Sequence, residues 1–175
     1  RFYEKLVETD ELPVTSQIPP HKYEERFKEI IDAGDTPFAI TLSSKLSGTY
    51  QSACIAAGSF GGKVYVVDSL NVSLGEAVLI RYAAERVRAG IEPEELEREL
   101  LEKREKICVL ALLDTLEYLK KGGRISSAVA FAGGILAIKP VVSVERGEVK
   151  MAGKARGSKH GGNLLLELVR KSGGI

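Results

Sequence analysis

Between Pro20 and Lys106, helical stripes and short apolar runs take turns along the chain. The segment "PPHKYEERFKEIIDAGD" carries Tyr23, Phe27, Ile30 and Ile31 at i, i+4, i+7 and i+8, the spacing of one helix face. Pro20 suits its first turn and Gly34 its end. "TPFAITL" then reads as a short buried strand, residues 49–57 as a helix closed by Gly58, and "KVYVVDS" as a second strand. After "NVSLG" a long helix is expected to run to Gly90 on the stripe Leu79, Ala83, Val87. Pro93 opens a further, charge-laced helix in "IEPEELERELLEKREK". A helix that follows each strand brings the chain back in the same direction, so the strands pair in parallel and need helices on both faces. The expected class is α/β, a three-layer parallel sheet.

From Ile107 the texture changes. "ICVLALLD" reads as a strand running into "DTLEYLKKGGRISS", where Asp114 and Glu117 have the spacing of a capping box and Gly122 that of a C-terminal stop. A Gly/Ala-rich apolar stretch, "AVAFAGGILAIKP", leads to two β-type runs flanking Arg146-Gly147, a predicted hairpin. These signals place a boundary near Lys106, with an α/β domain over 1–106 and an α+β domain over 107–175.

The charge balance narrows the function. With 25 Lys and Arg against 24 Asp and Glu, the net charge is +1 and no basic block gives electrostatic purchase on nucleic acid. No apolar run approaches the ~18 residues of a membrane span, and no signal peptide is visible. Cys54 and Cys108 lie far apart without metal-type spacing and read as small buried hydrophobes, which fits a reducing cytoplasm. His21 and His160 are isolated, so neither is expected to bind metal or do catalysis.

The densest chemistry is the turn "LSSKLSGTYQSACIAAG", where Ser43, Ser44, Ser47 and Thr49 surround Gly48 between a strand and a helix. In a parallel sheet, ligands bind at the carboxyl ends of the strands, beside helix N-termini whose free N–H groups suit an anion. One N-cap needs one hydroxyl; four imply that some face an anionic head group, the alternative being capping plus solvation. "TSQ" (15–17) offers further hydroxyls or an ordinary cap region. Asp68, at the end of "VVDS", by default closes the next turn. Arg124 follows two glycines in "KKGGRIS", where a close backbone approach and bidentate recognition of carboxylate or phosphate compete with a plain surface loop.

With those pieces in order, the sequence resembles the DegV family of bacterial fatty-acid-binding proteins. The matching stretches are "TSQ" (15–17), "LSSKLSGTYQSA" (42–53), "VVDS" (66–69), "LEYLKKGGRIS" (116–126) and "IKP" (138–140). Ile18-Pro19 departs from the usual Pro-Ser. The resemblance implies a two-domain protein that holds a long-chain fatty acid between its domains. It presents the carboxylate to a separate fatty-acid kinase, which makes an acyl phosphate for phospholipid synthesis, and has no catalytic centre or cofactor of its own. Carried over by motif, Thr15 and Ser47 would hold the carboxylate, with Gly48 and Thr49 adding contacts. Arg124 would sit near the head group or the kinase-docking face. The tail lining is expected in residues 130–138, at Phe131, Ile135, Leu136 and Ile138. Family members also carry an N-terminal "DS" strand and a longer C-terminal region with polar head-group contacts. The chain is accordingly expected to be incomplete at both ends.

Two rival readings stand beside this one. Ser-rich loops of the form S-x-S-G-x-T occur in sugar-isomerase-like domains, and "SKLSGTYQ" is close to that pattern. That enzyme needs a base, for which Glu76 is the weak candidate. A structural module without ligand predicts that replacing the hydroxyls changes only stability.

Overall fold

The computed structural model describes residues 2–9, 12–125 and 138–174. A short helix, α1 (Phe2–Glu8), precedes α2 (Pro20–Asp32), which starts on Pro20 and stops at the left-handed Gly34, φ 86°. Strand β1 (Phe38–Thr41), α3 (Thr49–Ala57), β2 (Tyr65–Asp68), α4 (Leu74–Arg88) and α5 (Pro93–Arg104) follow in the expected order. β1 and β2 pair in parallel, from Phe38 opposite Tyr65 to Thr41 opposite Asp68.

The pleat divides these short strands between two cores. Ala39 and Val66 pack on Phe27, Ala53 and Ala56 of α2 and α3. Phe38, Ile40 and Val67 face the other way, onto Leu79 and Ala83 of α4 and Leu96 and Leu100 of α5. Helices therefore cover both faces, the three-layer arrangement expected. One position of the stripe departs: Val87 is 58 % exposed. The 15-residue α4 is roughly 22 Å long. A four-residue strand covers only about 13 Å. The last turn of α4 thus runs past the sheet it packs on.

A separate antiparallel sheet holds β3 (Val109–Leu112), β4 (Ile138–Glu145) and β5 (Glu148–Arg156), in that order. β4 and β5 form the expected hairpin, and its turn residues Arg146 (φ 50°) and Gly147 (φ 83°) are both left-handed, as a two-residue primed turn requires. One face packs Val142 against Leu116 and Ile125, beside the helix α6 (Glu117–Lys121). The other face carries α7 (Ser158–Lys171), which comes close enough that a Cβ on Gly161 would lie 2.8 Å from Leu112 Cδ1.

Two local expectations are corrected. Asp114 does not cap α6: its carboxylate accepts a 2.6 Å bond from Lys139 Nζ, and Thr115 Oγ1 takes the Glu117 N–H instead, at 3.1 Å. Cys108 is exposed and Cys54 only half-buried, because Cys108 lies in the link before β3 rather than within the strand. Gly122 ends α6 as expected, and the left-handed residue is the next one, Gly123 (φ 72°).

Candidate functional site

The loops at the carboxyl ends of β1 and β2 gather the hydroxyl-rich turn, and its four hydroxyls have different roles. Ser43 is fully buried; its hydroxyl donates to Gly147 O at 2.7 Å and accepts the Lys45 N–H at 3.1 Å. It is a structural tie to the β4–β5 hairpin, and its one O–H is spent there, leaving no donor for an anion. Ser44 is exposed, and its N–H donates to Asp68 Oδ1 at 3.2 Å. Asp68 also accepts the Leu70 N–H at 2.9 Å, so it closes its own turn, the default reading of "VVDS".

Ser47 and Thr49 form a pair. Ser47 Oγ accepts the Thr49 N–H at 3.2 Å and lies 2.9 Å from Thr49 Oγ1. Whichever hydroxyl donates within the pair, the other keeps its hydrogen, so the pair always retains one O–H for an outside acceptor. That donor sits at the N-terminus of α3, where the helix's positive end favours an anion. Capping thus accounts for one of the two hydroxyls.

Arg124 reaches this loop from the other half of the chain. Its Nε donates to Leu46 O at 3.3 Å, and Nη1 bonds Gly122 O. The guanidinium borders two clefts. One, of ≈ 570 Å³, is lined by Lys45 and Leu46 on one side and by Glu148, Val149, Lys150 and Met151 of β5 on the other. The other, of ≈ 380 Å³, brings Arg124 together with Thr15, Leu12, Val14 and Tyr118. The turn residues Ser47, Gly48 and Thr49 are contiguous, Arg124 is bonded to the residue before Ser47, and Thr15 shares a groove with Arg124. Gln17 lies directly over Gly48.

Of the expected tail lining, Phe131, Ile135 and Leu136 lie outside the described residues. Ile138 opens β4 half-buried, opposite Arg156, and borders neither cleft. The cleft wall of β5, Val149 to Met151, was not singled out in the sequence; the alternation of its hairpin strand is the signal that carries it. Glu76 sits in the first turn of α4, where burial pushes its carboxyl above the ordinary range; the Tyr23 phenol is raised too, first by its own burial and then by the charge of Glu76. It borders neither cleft. Among the described residues, no three His, Cys, Asp or Glu are grouped to hold a metal, and no helix is long and apolar enough to cross a membrane.

A parallel sheet with a hydroxyl-lined helix N-terminus, facing a separate antiparallel sheet across a cleft, defines a class that comparison with known proteins identifies. The profile described as an uncharacterised protein family, DegV, matches residues 1–174, and the chain belongs to that family. A DegV domain-containing protein of Caldanaerobacter subterraneus is 35 % identical over 98 % of this chain and 61 % of its own length. A protein of Thermotoga maritima named as a fatty acid-binding protein is 34 % identical over 97 % of this chain and 60 % of its own. The solved structure of a fatty-acid-binding DegV family protein from Thermus thermophilus superposes with a TM-score of 0.89 at 37 % identity, covering 97 % of this chain and 61 % of that one. The chain thus spans about three-fifths of the relatives it matches.

Proposed function

We propose that this chain is the larger part of a carrier that binds a long-chain fatty acid and presents its carboxylate to a separate fatty-acid kinase. The observation that carries this reading is the Ser47–Thr49 pair, with its one spare O–H at the start of α3. Thr15 and the Gly48 backbone complete the head-group contacts in this account, and Arg124 marks the head-group edge where the kinase docks. The division into a unit over 1–106 and one over 107–175 belongs to the same proposal. The tail runs toward the second unit, whose apolar stretch includes Phe131, Ile135, Leu136 and Ile138.

Magnitudes give the two ends different tasks. Each buried methylene contributes about 0.8 kcal/mol, so a tail of about fifteen supplies on the order of 10 kcal/mol before ordering costs. A hydrogen bond to a charged carboxylate adds only about 1.5–3 kcal/mol. The tail therefore sets affinity and the hydroxyls set position. Neutral hydroxyls also leave the carboxylate its charge, which a phosphoryl acceptor needs. In this reading the protein does no chemistry itself; the Thermotoga maritima relative and the Thermus thermophilus structure, whose names describe binding rather than a reaction, support it.

The test is native mass spectrometry of the purified full-length protein, followed by solvent extraction of what travels with it. A recovered fatty acid, diminished in Ser47→Ala or Thr15→Ala, is the expected result. An empty protein that gains mass only with sugar phosphates overturns the proposal.

A further inference from the structure

Gly48 is a glycine for a reason its backbone does not supply. Its φ is −71°, an angle any residue adopts, so the missing Cβ serves space rather than conformation. A Cβ there would lie 1.7 Å from Gln17 Oε1 and 2.7 Å from its Cδ, far inside any contact distance. The Gln17 side chain therefore occupies the place where another residue's side chain would begin. Gln17 is itself exposed and lies in the irregular segment before α2. Among the described residues, no hydrogen bond reaches Gln17 or Thr15. The carboxamide packed on Gly48 is thus a direct contact between this segment and the turn that carries Ser47. Two residues of chain span at most about 7 Å, so fastening Gln17 confines Thr15 to the neighbourhood of the turn.

We infer that Gln17 is a positioning residue of the head-group site: docked on Gly48, it sets Thr15 opposite the Ser47–Thr49 pair. The inference rests on the carrier reading and adds how two separate motifs are held as one site. Gln17 acts through Thr15 and contributes no bond of its own to the ligand. The motif "TSQ" is then a hydroxyl with its own latch, and the glycine of "SGT" is the latch plate.

The experiment is a double-mutant cycle on delipidated full-length protein, with palmitate as the probe and calorimetric titration as the readout. Thr15→Val is expected to weaken palmitate about tenfold in the parental protein, the loss of one charge-assisted hydrogen bond. In a Gln17→Ala background, where Thr15 is already adrift, the same change is expected to cost less than about twofold. Gly48→Ala, which evicts the carboxamide, is expected to match Gln17→Ala, and the two together to be no weaker than either. Thermal midpoints report that each variant is folded; a purely structural role for Gln17 would shift them without coupling it to Thr15. Losses that simply multiply, with Thr15→Val costing the same in both backgrounds, overturn the inference and leave the carrier reading intact. A parental protein that takes up no palmitate overturns both.

Discussion

At Glu76 two effects oppose each other. The residue sits in the first turn of α4, where the free N–H groups of the helix favour a negative charge. Partial burial nonetheless holds its carboxyl above the ordinary 4.5. An acid whose folded value exceeds its unfolded one binds more protons when folded, so this group favours the folded state at low pH and that contribution is lost as pH rises from 4.5 through the raised value. Glu76→Gln is therefore expected to raise the thermal midpoint at pH 7 and to change it little below about pH 4, where both states are already protonated. Melts of the two proteins across that range check it; a gain of equal size at both ends would assign the effect to something other than the charge. The hydroxyls show the same dependence on surroundings. Ser43, Ser44, Ser47 and Thr49 look alike in sequence, and burial with hydrogen-bond partners separates a buried tie, an exposed residue and a donor pair. That separation depends on Gly147, which is 104 residues away from Ser43, and no local pattern encodes such a partner.

Among the elements, α7 depends on a close approach to its sheet. Gly161→Ala puts a methyl 2.8 Å from Leu112 Cδ1 and 3.2 Å from Lys139 Cβ. Overpacking of this kind is expected to cost about 1–3 kcal/mol in urea denaturation. Gly162, the next residue, has nothing within 4 Å of its missing Cβ. Gly162→Ala is expected to stabilise by about 0.5–1 kcal/mol through helix propensity alone. Similar effects from the two substitutions would remove the packing argument. The elements themselves were legible because their signals are local: Pro20 and Pro93 at helix starts, the Tyr23–Phe27 spacing, and Arg146-Gly147 between two β-type runs. Boundaries fared worse where a distant residue competes. Asp114 has the spacing of a cap, but Lys139 on β4 offers it a full charge, which outweighs a backbone N–H that Thr115 can serve. Val87 follows the helical period and is still exposed, since the stripe predicts a face and says nothing of how far the sheet extends.

For the molecule as a whole, the parallel and antiparallel halves meet at the same turn that carries the candidate site. Ser43 ties that turn to the hairpin, and Arg124 ties it to the chain after α6. The turn is thus braced from the half that the proposal gives the tail, which is how occupancy of a tail site can be felt at the head. Ser43→Ala deletes the donor to Gly147 O and the acceptor for the Lys45 N–H in a fully buried place. It is expected to cost about 1–3 kcal/mol in unfolding free energy. It is also expected to speed hydrogen exchange at the hairpin and at the turn together. Faster exchange confined to one of them would show that the two halves are not coupled there.

The most direct test of the central claim follows the ligand's own head group. Palmitate labelled with 13C at the carboxyl carbon is bound to the delipidated full-length protein, and its carboxyl resonance is recorded for the parental protein and for Ser47→Ala. The account predicts a bound resonance distinct from free palmitate that moves when Ser47 loses its hydroxyl, with the fatty acid still bound because the tail supplies most of the affinity. A bound carboxyl resonance indifferent to Ser47 would contradict it, and would place the head group away from the Ser47–Thr49 pair.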